Sequence, residues 1–156
     1  MNGTSADTFS PSNPTTRGMI VTILYRLEGT PRVSGKCEFG DVASGSYYEN
    51  AVIWASENGI VNGYGEGKFG PDDNITREQM AAILYRYCQY KGIKTTETAD
   101  LSGYTDASQI SSWASAALGW ANGAKLINGK GDGILDPKGE ATRAQAAAIL
   151  HRFCEK

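Results

Sequence analysis

Three Thr-Arg pairs occupy matching positions in this chain of 156 residues: Thr16-Arg17, Thr76-Arg77 and Thr142-Arg143. Each pair precedes apolar residues at helical spacing, which predicts an arginine in the first turn of a helix three times over. A cation gains little there, because it faces the positive end of the helix dipole, whereas a helix N-terminus and a forked guanidinium together suit an anion such as a carboxylate. Two interpretations stay open, since the arginines either hold an acidic ligand or pair with loop acids such as Asp41, Asp72 or Asp106.

Four aromatic residues are further candidates for ligand contact: Tyr47, Trp54, Trp113 and Trp120. Their flat apolar rings could stack on the C–H face of a hexose, which would favour a carbohydrate site. Core packing is the alternative for each of them, because large aromatic side chains also dominate protein interiors.

The three cysteines, Cys37, Cys88 and Cys154, lack the spacing of a metal site. Cys88 and Cys154 occupy the same position of an internal repeat, so we expect two thiols that fill space at helix ends, with a disulfide between them as the alternative. A calcium-dependent adhesive domain is another alternative, because residues 128–139 echo an EF-hand loop. Lys at the third position and Gly at the twelfth depart from that pattern, so we expect neither a metal nor a cofactor.

An enzyme is not expected. The single histidine, His151, takes the position of Tyr25 and Tyr85 inside a repeated helix. Polar residues that recur in every copy indicate binding, because catalysis normally needs one asymmetric site.

These residues lie in an internal repeat, in which 1–28, 61–88 and 127–154 align without a gap, at offsets of 60 and 66. Copies two and three share a lead-in upstream of the aligned block, where Phe39-Gly40-Asp41 matches Tyr104-Thr105-Asp106. Copy one begins at Met1 without a lead-in, and we interpret that start as a truncation.

Each aligned block predicts a turn followed by a helix. Thr76 with Gln79, and Thr142 with Gln145, fit the capping box, whereas Met19 stands where Thr16 would need a glutamine, so half of that device is expected in copy one. The helices carry apolar stripes at i, i+3, i+4 and i+7: Ile20, Ile23, Leu24 and Leu27; Met80, Ile83, Leu84 and Tyr87; Ala146, Ile149, Leu150 and Phe153.

The lead-in predicts a second kind of helix with an alanine-rich face: Tyr48, Ala51, Val52 and Ala55 in copy two, and Ala114, Ala117, Leu118 and Ala121 in copy three. Small side chains imply close helix approach. Gly-containing connectors over 29–36 and 92–103 separate the repeats. We predict an all-α fold of three tandem helix-loop-helix repeats, of which the first lacks its first helix.

Composition restricts the class of protein. With 40% apolar and 21% charged residues, the chain is typical of one soluble globular module. A net charge of −2 without any basic run excludes the footprint of a nucleic-acid binder. No apolar stretch reaches membrane-spanning length, and the first residues lack the regions of a signal peptide, which we attribute to the truncation.

The order of these motifs resembles an S-layer homology repeat. The matching residues of copy two are Asp41, Tyr47 and Trp54, then Gly59-Ile60-Val61-Asn62-Gly63, Phe69-Gly70-Pro71 and Ile75-Thr76-Arg77-Glu78-Gln79. The resemblance covers one partial repeat, 1–29, and two full repeats, 38–92 and 103–156, which together form one module. Members of that family usually occur in threes, so the resemblance implies a pseudo-threefold helical prism.

The resemblance also implies a function, which is the non-covalent anchoring of an exported bacterial protein to the cell wall. The ligand would be a secondary cell-wall polysaccharide, often pyruvylated, held in grooves between repeats, and the location would be the cell surface or S-layer. A protein-interaction module of the same fold is the alternative.

The family's Thr-Arg-Ala-Glu motif supplies polar contacts to that ligand. Here the three motifs end in Met19, Gln79 and Gln145, so the acidic fourth position is absent from each. The expected ligand-binding residues are Thr16, Arg17, Thr76, Arg77, Gln79, Thr142, Arg143 and Gln145, with Trp54 and Trp120.

The missing lead-in has one further consequence for copy one. Its apolar stripe from Ile20 to Leu27 would lose a covering neighbour in a closed prism. We therefore expect self-association through the side of repeat one, or lower stability than in a chain that carries the upstream residues.

Overall fold

The computed structural model describes residues 13–33, 35–63 and 65–154. Its five α-helices are α1 (Arg17–Leu27), α2 (Glu49–Glu57), α3 (Arg77–Lys91), α4 (Ser115–Gly123) and α5 (Arg143–Cys154). Two 3-10 turns, Ala107–Gln109 and Ser112–Ala114, precede α4. Within the described ranges, extended pairing is limited to isolated bridges, so the predicted all-α fold is confirmed. The arrangement of the three repeats as a prism stays a prediction.

Capping boxes begin α3 and α5, as the sequence predicts. The Thr76 hydroxyl accepts from the Gln79 amide N–H at 3.2 Å, and the Gln79 side-chain oxygen accepts from the Thr76 N–H at 3.0 Å. Thr142 and Gln145 repeat both bonds at 3.1 Å. Two amides that lack a partner inside the helix are satisfied each time, which fixes where each helix begins.

The prediction that copy one keeps only half of this device is wrong. Thr16 accepts from the Met19 N–H at 3.2 Å, and the Met19 Sδ atom accepts from the Thr16 N–H at 3.5 Å. The thioether sulfur is a weak acceptor, so the box is complete in geometry and weaker in energy.

Residues 15–74 form one compact unit, in which α1 packs on α2. Ile20 and Leu24 of α1 are completely buried, and the ring centroids of Tyr25 and Trp54 lie 5.6 Å apart. The lead-in helix of copy two thus packs on the helix of copy one. The expectation that the apolar stripe of copy one lacks one covering neighbour stays a prediction. Only the end of the stripe is open, with Leu27 50% exposed. Self-association through this side stays a prediction.

A second compact unit holds residues 75–154 together with 13–14. Here α3 packs on α4, with Tyr85 and Trp120 ring centroids 5.7 Å apart. Met80, Leu118 and the Ala146 side chain of α5 are fully buried. Phe153 closes the end of α5 against Tyr87 of α3, at 5.8 Å between centroids.

One rule covers both units. The helix that follows a Thr-Arg pair packs on the lead-in helix of the next copy along the chain, as α1 does on α2 and α3 does on α4. The predicted alanine-rich faces of the lead-in helices are buried in these pairs. Each unit thus combines elements of different sequence copies, while the repeat boundaries drawn from the sequence stay a prediction. No helix in the described part of the chain is long and apolar enough to cross a bilayer.

Candidate functional site

The first turn of α3 is closed by the loop of copy three. The backbone N–H of Arg77 donates to the Gly139 carbonyl at 2.9 Å, and that of Glu78 donates to the Pro137 carbonyl at 3.0 Å. The following amide belongs to the capping box of Thr76. Because these donors are occupied, the helix N-terminus does not offer amides to an anion, contrary to expectation, and anion binding rests with side chains.

The other two helices of this kind begin in the same way. At α1 the N–H groups of Arg17 and Gly18 donate to the carbonyls of Asp73 and Pro71, each at 2.9 Å. At α5 the Arg143 N–H donates to the Asn13 carbonyl at 2.8 Å. The accepting residues, Asn13, Asp73 and Gly139, occupy the same position of the three copies. The sequence repeat is therefore matched by a repeated backbone hydrogen bond.

The Arg77 side chain turns inward and holds the loop of copy three. Its Nε donates to the Leu135 carbonyl at 3.1 Å and its Nη2 donates to the Asn128 carbonyl at 2.6 Å. The residue is only 5% exposed. Burial lowers the pKa of the guanidinium, and the negative charge of Asp136 acts in the opposite direction. An arginine stays protonated in either case, so a permanent cation lies at the base of this loop.

Arg17 has the same role in the other unit. Its Nε donates to the Phe69 carbonyl at 3.0 Å, and its Cζ lies 4.8 Å from the centroid of the Phe69 ring, a cation–π distance. Arg143 is buried as well. All three predicted arginines are therefore buried side chains rather than surface cations.

Asp41 and Asp106 are two of the loop acids that the alternative interpretation gives as partners of the arginines, and both bind backbone amides. The Asp106 carboxylate accepts from the amides of Leu135 and Asp136, at 3.0 and 2.8 Å. Asp41 accepts from the amides of Phe69 and Gly70, at 2.9 and 2.8 Å. These aspartates are loop clamps that bind backbone.

The clamps alter the acidity of both carboxyls. The hydrogen bond that the Leu135 N–H donates to the Asp106 carboxylate is the main cause of the lowered pKa of Asp106. Burial raises the pKa of Asp41, but the bonds from the amides of Phe69 and Gly70 outweigh it and the net pKa is lowered. Both carboxylates are consequently ionised through the neutral range.

A groove of about 220 Å³ lies beside Arg77 in the unit of residues 75–154. Lys130, Gln145 and Arg152 line it together with Arg77, and the apolar side chains of Ile127 and Ile149 contribute to its wall. Three cations around so small a space suit a compact acidic group better than a neutral one.

Each groove cation is also held by the protein. Lys130 Nζ lies 2.8 Å from Asp136 Oδ2, and Arg152 Nη1 donates to the Leu126 carbonyl at 3.1 Å. Both side chains are thus oriented before any ligand arrives, which reduces the entropic cost of binding.

The predicted tryptophans lie in the core. Trp54 and Trp120 are each 3% exposed and pack against tyrosines, so neither ring face is open to a sugar in this structure. The two aromatics considered beside them differ, because Tyr47 is 62% and Trp113 is 54% exposed.

Sequence reasoning missed three residues. Lys130 was considered only as the lysine at the third position of the calcium-like loop, and no ligand contact was predicted for Arg152, yet both line the groove. Glu78 is 2% exposed and accepts from the Ser111 amide, the Ser111 hydroxyl and Lys138 Nζ, at 2.9, 2.7 and 2.8 Å. The sequence does mark Glu78 as unusual, because the equivalent residues of the other two copies are Gly18 and Ala144, which carry no charge.

The cysteines and the calcium-like loop add no second site. Cys37, Cys88 and Cys154 are free thiols, and burial raises the pKa of Cys88 to about 11. Among the residues with described positions, no group of three or more His, Cys, Asp or Glu side chains is arranged to hold a metal ion.

Helix pairs built from repeated Thr-Arg blocks, each with a clamped loop, define a helical repeat protein. The chain belongs to the S-layer homology domain family, whose model matches residues 38–81 and 103–147.

Three relatives illustrate the context in which such sequences occur. The chain is 37% identical to an endoglucanase of Bacillus sp. strain KSM-635 over 96% of its own length and 16% of the relative's. It is 35% identical to an amylopullulanase of Thermoanaerobacterium thermosulfurigenes over its full length and 8% of the relative's. It is 27% identical to a cellulosome-anchoring protein of Acetivibrio thermocellus over its full length and 35% of the relative's. The chain therefore corresponds to a small part of each.

Proposed function

We propose that this chain is a non-catalytic anchoring module that binds an acidic secondary cell-wall polysaccharide and holds the protein that carries it at the bacterial cell surface. The observation that carries the proposal is the groove beside Arg77, where three cations and one glutamine amide surround a space of about 220 Å³. A pyruvylated sugar presents one carboxylate on a compact ring, which matches that charge and size.

The names of the relatives support anchoring over catalysis. The region similar to this chain makes up 35% of the cellulosome-anchoring protein, 16% of the endoglucanase and 8% of the amylopullulanase. A segment common to an anchoring protein and to enzymes of different names fits a shared attachment function better than a shared reaction.

We assign different roles to the residues that line the groove and to the threonines that cap the helices. Arg77 supplies charge from below, and its guanidinium has five N–H donors, of which two bind loop carbonyls. Gln145, Lys130 and Arg152 would contact the sugar from the sides. Thr76 and Thr142 act indirectly, because their hydroxyls cap helices. The equivalent residues Thr16, Arg17, Gln79 and Arg143 are proposed for matching sites in the other copies.

The test is a titration of the whole chain with purified wall polysaccharide fragments, with and without the pyruvyl group. We expect binding only with the acidic form, and a loss of about 1.5–3 kcal/mol on Arg77→Ala, the range for hydrogen bonds to charged groups. Arg77→Lys should recover part of the loss, because a point charge cannot reproduce the fork.

Arg77 is buried, so a second variant separates binding from folding. Lys130→Gln changes a side chain that is 45% exposed and should weaken binding with little change in melting temperature. Arg26→Ala, on the exposed end of α1, is the matched control. Equal affinity of wild type, Lys130→Gln and Arg77→Ala would refute the site, and capture of wall protein in place of polysaccharide would favour a protein-interaction module.

A further inference from the structure

Asp136 has a backbone conformation that is unusual for its residue type. Its φ angle is 59°, in the left-handed region that glycine adopts most readily. The equivalent residue of copy two is Gly70, whose φ angle of 74° shows that the loop takes the same course there. Glycine would be the less strained residue in copy three as well, and the Asp136 carboxylate is the feature that glycine lacks.

This carboxylate lies among the cations of the groove. The Oδ2 atom of Asp136 is 2.8 Å from Lys130 Nζ, and Lys130 lines the groove. Burial lowers the pKa of the Arg77 guanidinium, and Asp136 is the strongest of the charges that raise it. Gly139 leaves the room that the carboxylate needs, because a Cβ atom there would overlap Asp136 Oδ2. A carboxylate of the protein thus already acts on two of the cations that an acidic ligand would use.

The residue types of this ion pair occur in copy three alone. At the position of Lys130 the other copies have a threonine and a tyrosine, and at the position of Asp136 they have a serine and a glycine. Both partners are therefore missing from the other two copies. The ion pair is a property of the groove of copy three and not of the repeat as such.

Carboxylates reduce the positive charge of the groove. Arg77, Lys130 and Arg152 line it. Asp136 is paired with Lys130, and the charges of Asp136 and Asp106 both act on Arg77. Three cations and two carboxylates leave one net positive charge.

A groove with one net positive charge favours an anion of one charge over an anion of two. The attraction rises in proportion to the charge of the ligand, whereas the cost of removing the ligand from water rises roughly with the square of that charge. A sugar carboxylate carries one charge. A phosphate monoester carries nearly two when the pH is well above its second pKa of about 6.

We propose that Asp136 is a specificity-determining residue, which makes the groove beside Arg77 select a sugar with a single carboxylate and reject a sugar phosphate monoester. This inference rests on the proposed polysaccharide function and extends it to the charge of the ligand. Asp136 acts through Lys130 and Arg77, because it is not itself among the residues that line the groove.

The probes are glucuronate and glucose 1-phosphate, titrated separately into the full chain at about pH 8 and followed by NMR chemical shifts. We expect wild type to bind glucuronate more tightly than the phosphate. Asp136→Asn keeps an oxygen acceptor for Lys130, tolerates the left-handed backbone and removes the charge. It should raise the affinity for glucuronate about threefold and that for glucose 1-phosphate about tenfold, because the Coulomb energy is proportional to the charge of the ligand.

Asp132→Asn is the matched control. Asp132 lies in the same loop, is exposed and also has a left-handed φ angle, of 54°. The substitution changes the net charge of the chain by the same amount, and it should shift both affinities by less than about twofold, because salt screens exposed charges.

The inference is overturned if wild type binds neither probe or binds the phosphate as tightly as glucuronate. It is also overturned if Asp136→Asn changes both affinities by the same factor, or acts no more strongly than Asp132→Asn. The polysaccharide titration is run on the same proteins. Absence of polysaccharide binding with the charge selectivity intact would refute the proposed function alone, and polysaccharide binding without charge selectivity would refute the role of Asp136 alone.

Discussion

Arg77 and Asp106 hold the two backbone groups of a single residue. The Arg77 Nε donates to the Leu135 carbonyl at 3.1 Å, while Asp106 Oδ1 accepts from the Leu135 amide at 3.0 Å. Arg17 and Asp41 do the same to Phe69 in the other unit. A cation and an anion thus cooperate on one loop residue through its backbone, and the loop that bounds the groove is fixed from both sides.

The first prediction concerns acid. The pKa of Asp106 is lowered in the folded chain, so its contribution to stability is present above the unfolded value of about 3.9 and is lost as pH falls through the folded value. Asp106→Asn should flatten the decline of melting temperature below about pH 4. Melting curves between acid and neutral pH measure it, with Asp72→Asn as an exposed control. Parallel curves for wild type and Asp106→Asn would contradict the clamp.

The second prediction concerns the cap of α1. Replacing the weak sulfur acceptor by an amide oxygen in Met19→Gln should stabilise the chain by about 0.5–1 kcal/mol, as the other two helices already have glutamine there. Thr16→Ala should cost about 1 kcal/mol. Denaturant titrations give both values, and Met19→Leu serves as the control for size. A gain equal in Met19→Gln and Met19→Leu would show that the acceptor is irrelevant.

The third prediction concerns the buried carboxylate of Glu78. Lys138→Ala removes its cationic partner, and we expect a cost of about 1–2 kcal/mol, below the value for a fully buried pair because the lysine is half exposed. Glu78→Ala together with Lys138→Ala should cost less than the sum of the single changes, since no charge is then buried. Strict additivity in the double-mutant cycle would rule out the coupling.

The fourth prediction concerns thiol reactivity. Burial raises the pKa of Cys88 to about 11, and only the thiolate reacts, so Cys88 should be alkylated far more slowly than the exposed Cys154 at pH 8. Mass spectrometry after timed iodoacetamide treatment measures the order. The difference should vanish in denaturant, and equal rates in the folded chain would contradict the burial of Cys88.

The sequence alone predicts where three helices begin and which of their faces are apolar. Thr76 with Gln79 carries its own capping geometry, and the spacing of Met80, Ile83 and Leu84 defines a stripe, because both depend on residues three or four positions apart. The clamping acids were visible as well, since Asp41 and Asp106 repeat, but their partners were not.

The groups that bind these side chains, and the helix that covers each apolar face, could not be predicted from the sequence, for physical reasons. Arg77 binds two carbonyls, and a backbone carbonyl has no residue type to read in a sequence. Periodicity shows that a helix face is apolar, but it does not say which helix covers it, so the pairing of α1 with α2 had to come from the structure. Burial of Trp54 follows from that pairing, because its ring meets Tyr25 of the preceding copy.

The pairing of α1 with α2 and of α3 with α4 also sets how such a gene can be recombined. A crossover in a glycine-containing connector, at 29–36 or 92–103, keeps each sequence repeat whole. It nevertheless separates a helix from the lead-in helix that packs on it. A crossover between Asn74 and Ile75 preserves both pairs. The segment that can be exchanged with its helix pair intact is therefore offset from the sequence repeat by about half a repeat length. A chimera joined within a glycine-containing connector would expose the two helix faces that the pair buries.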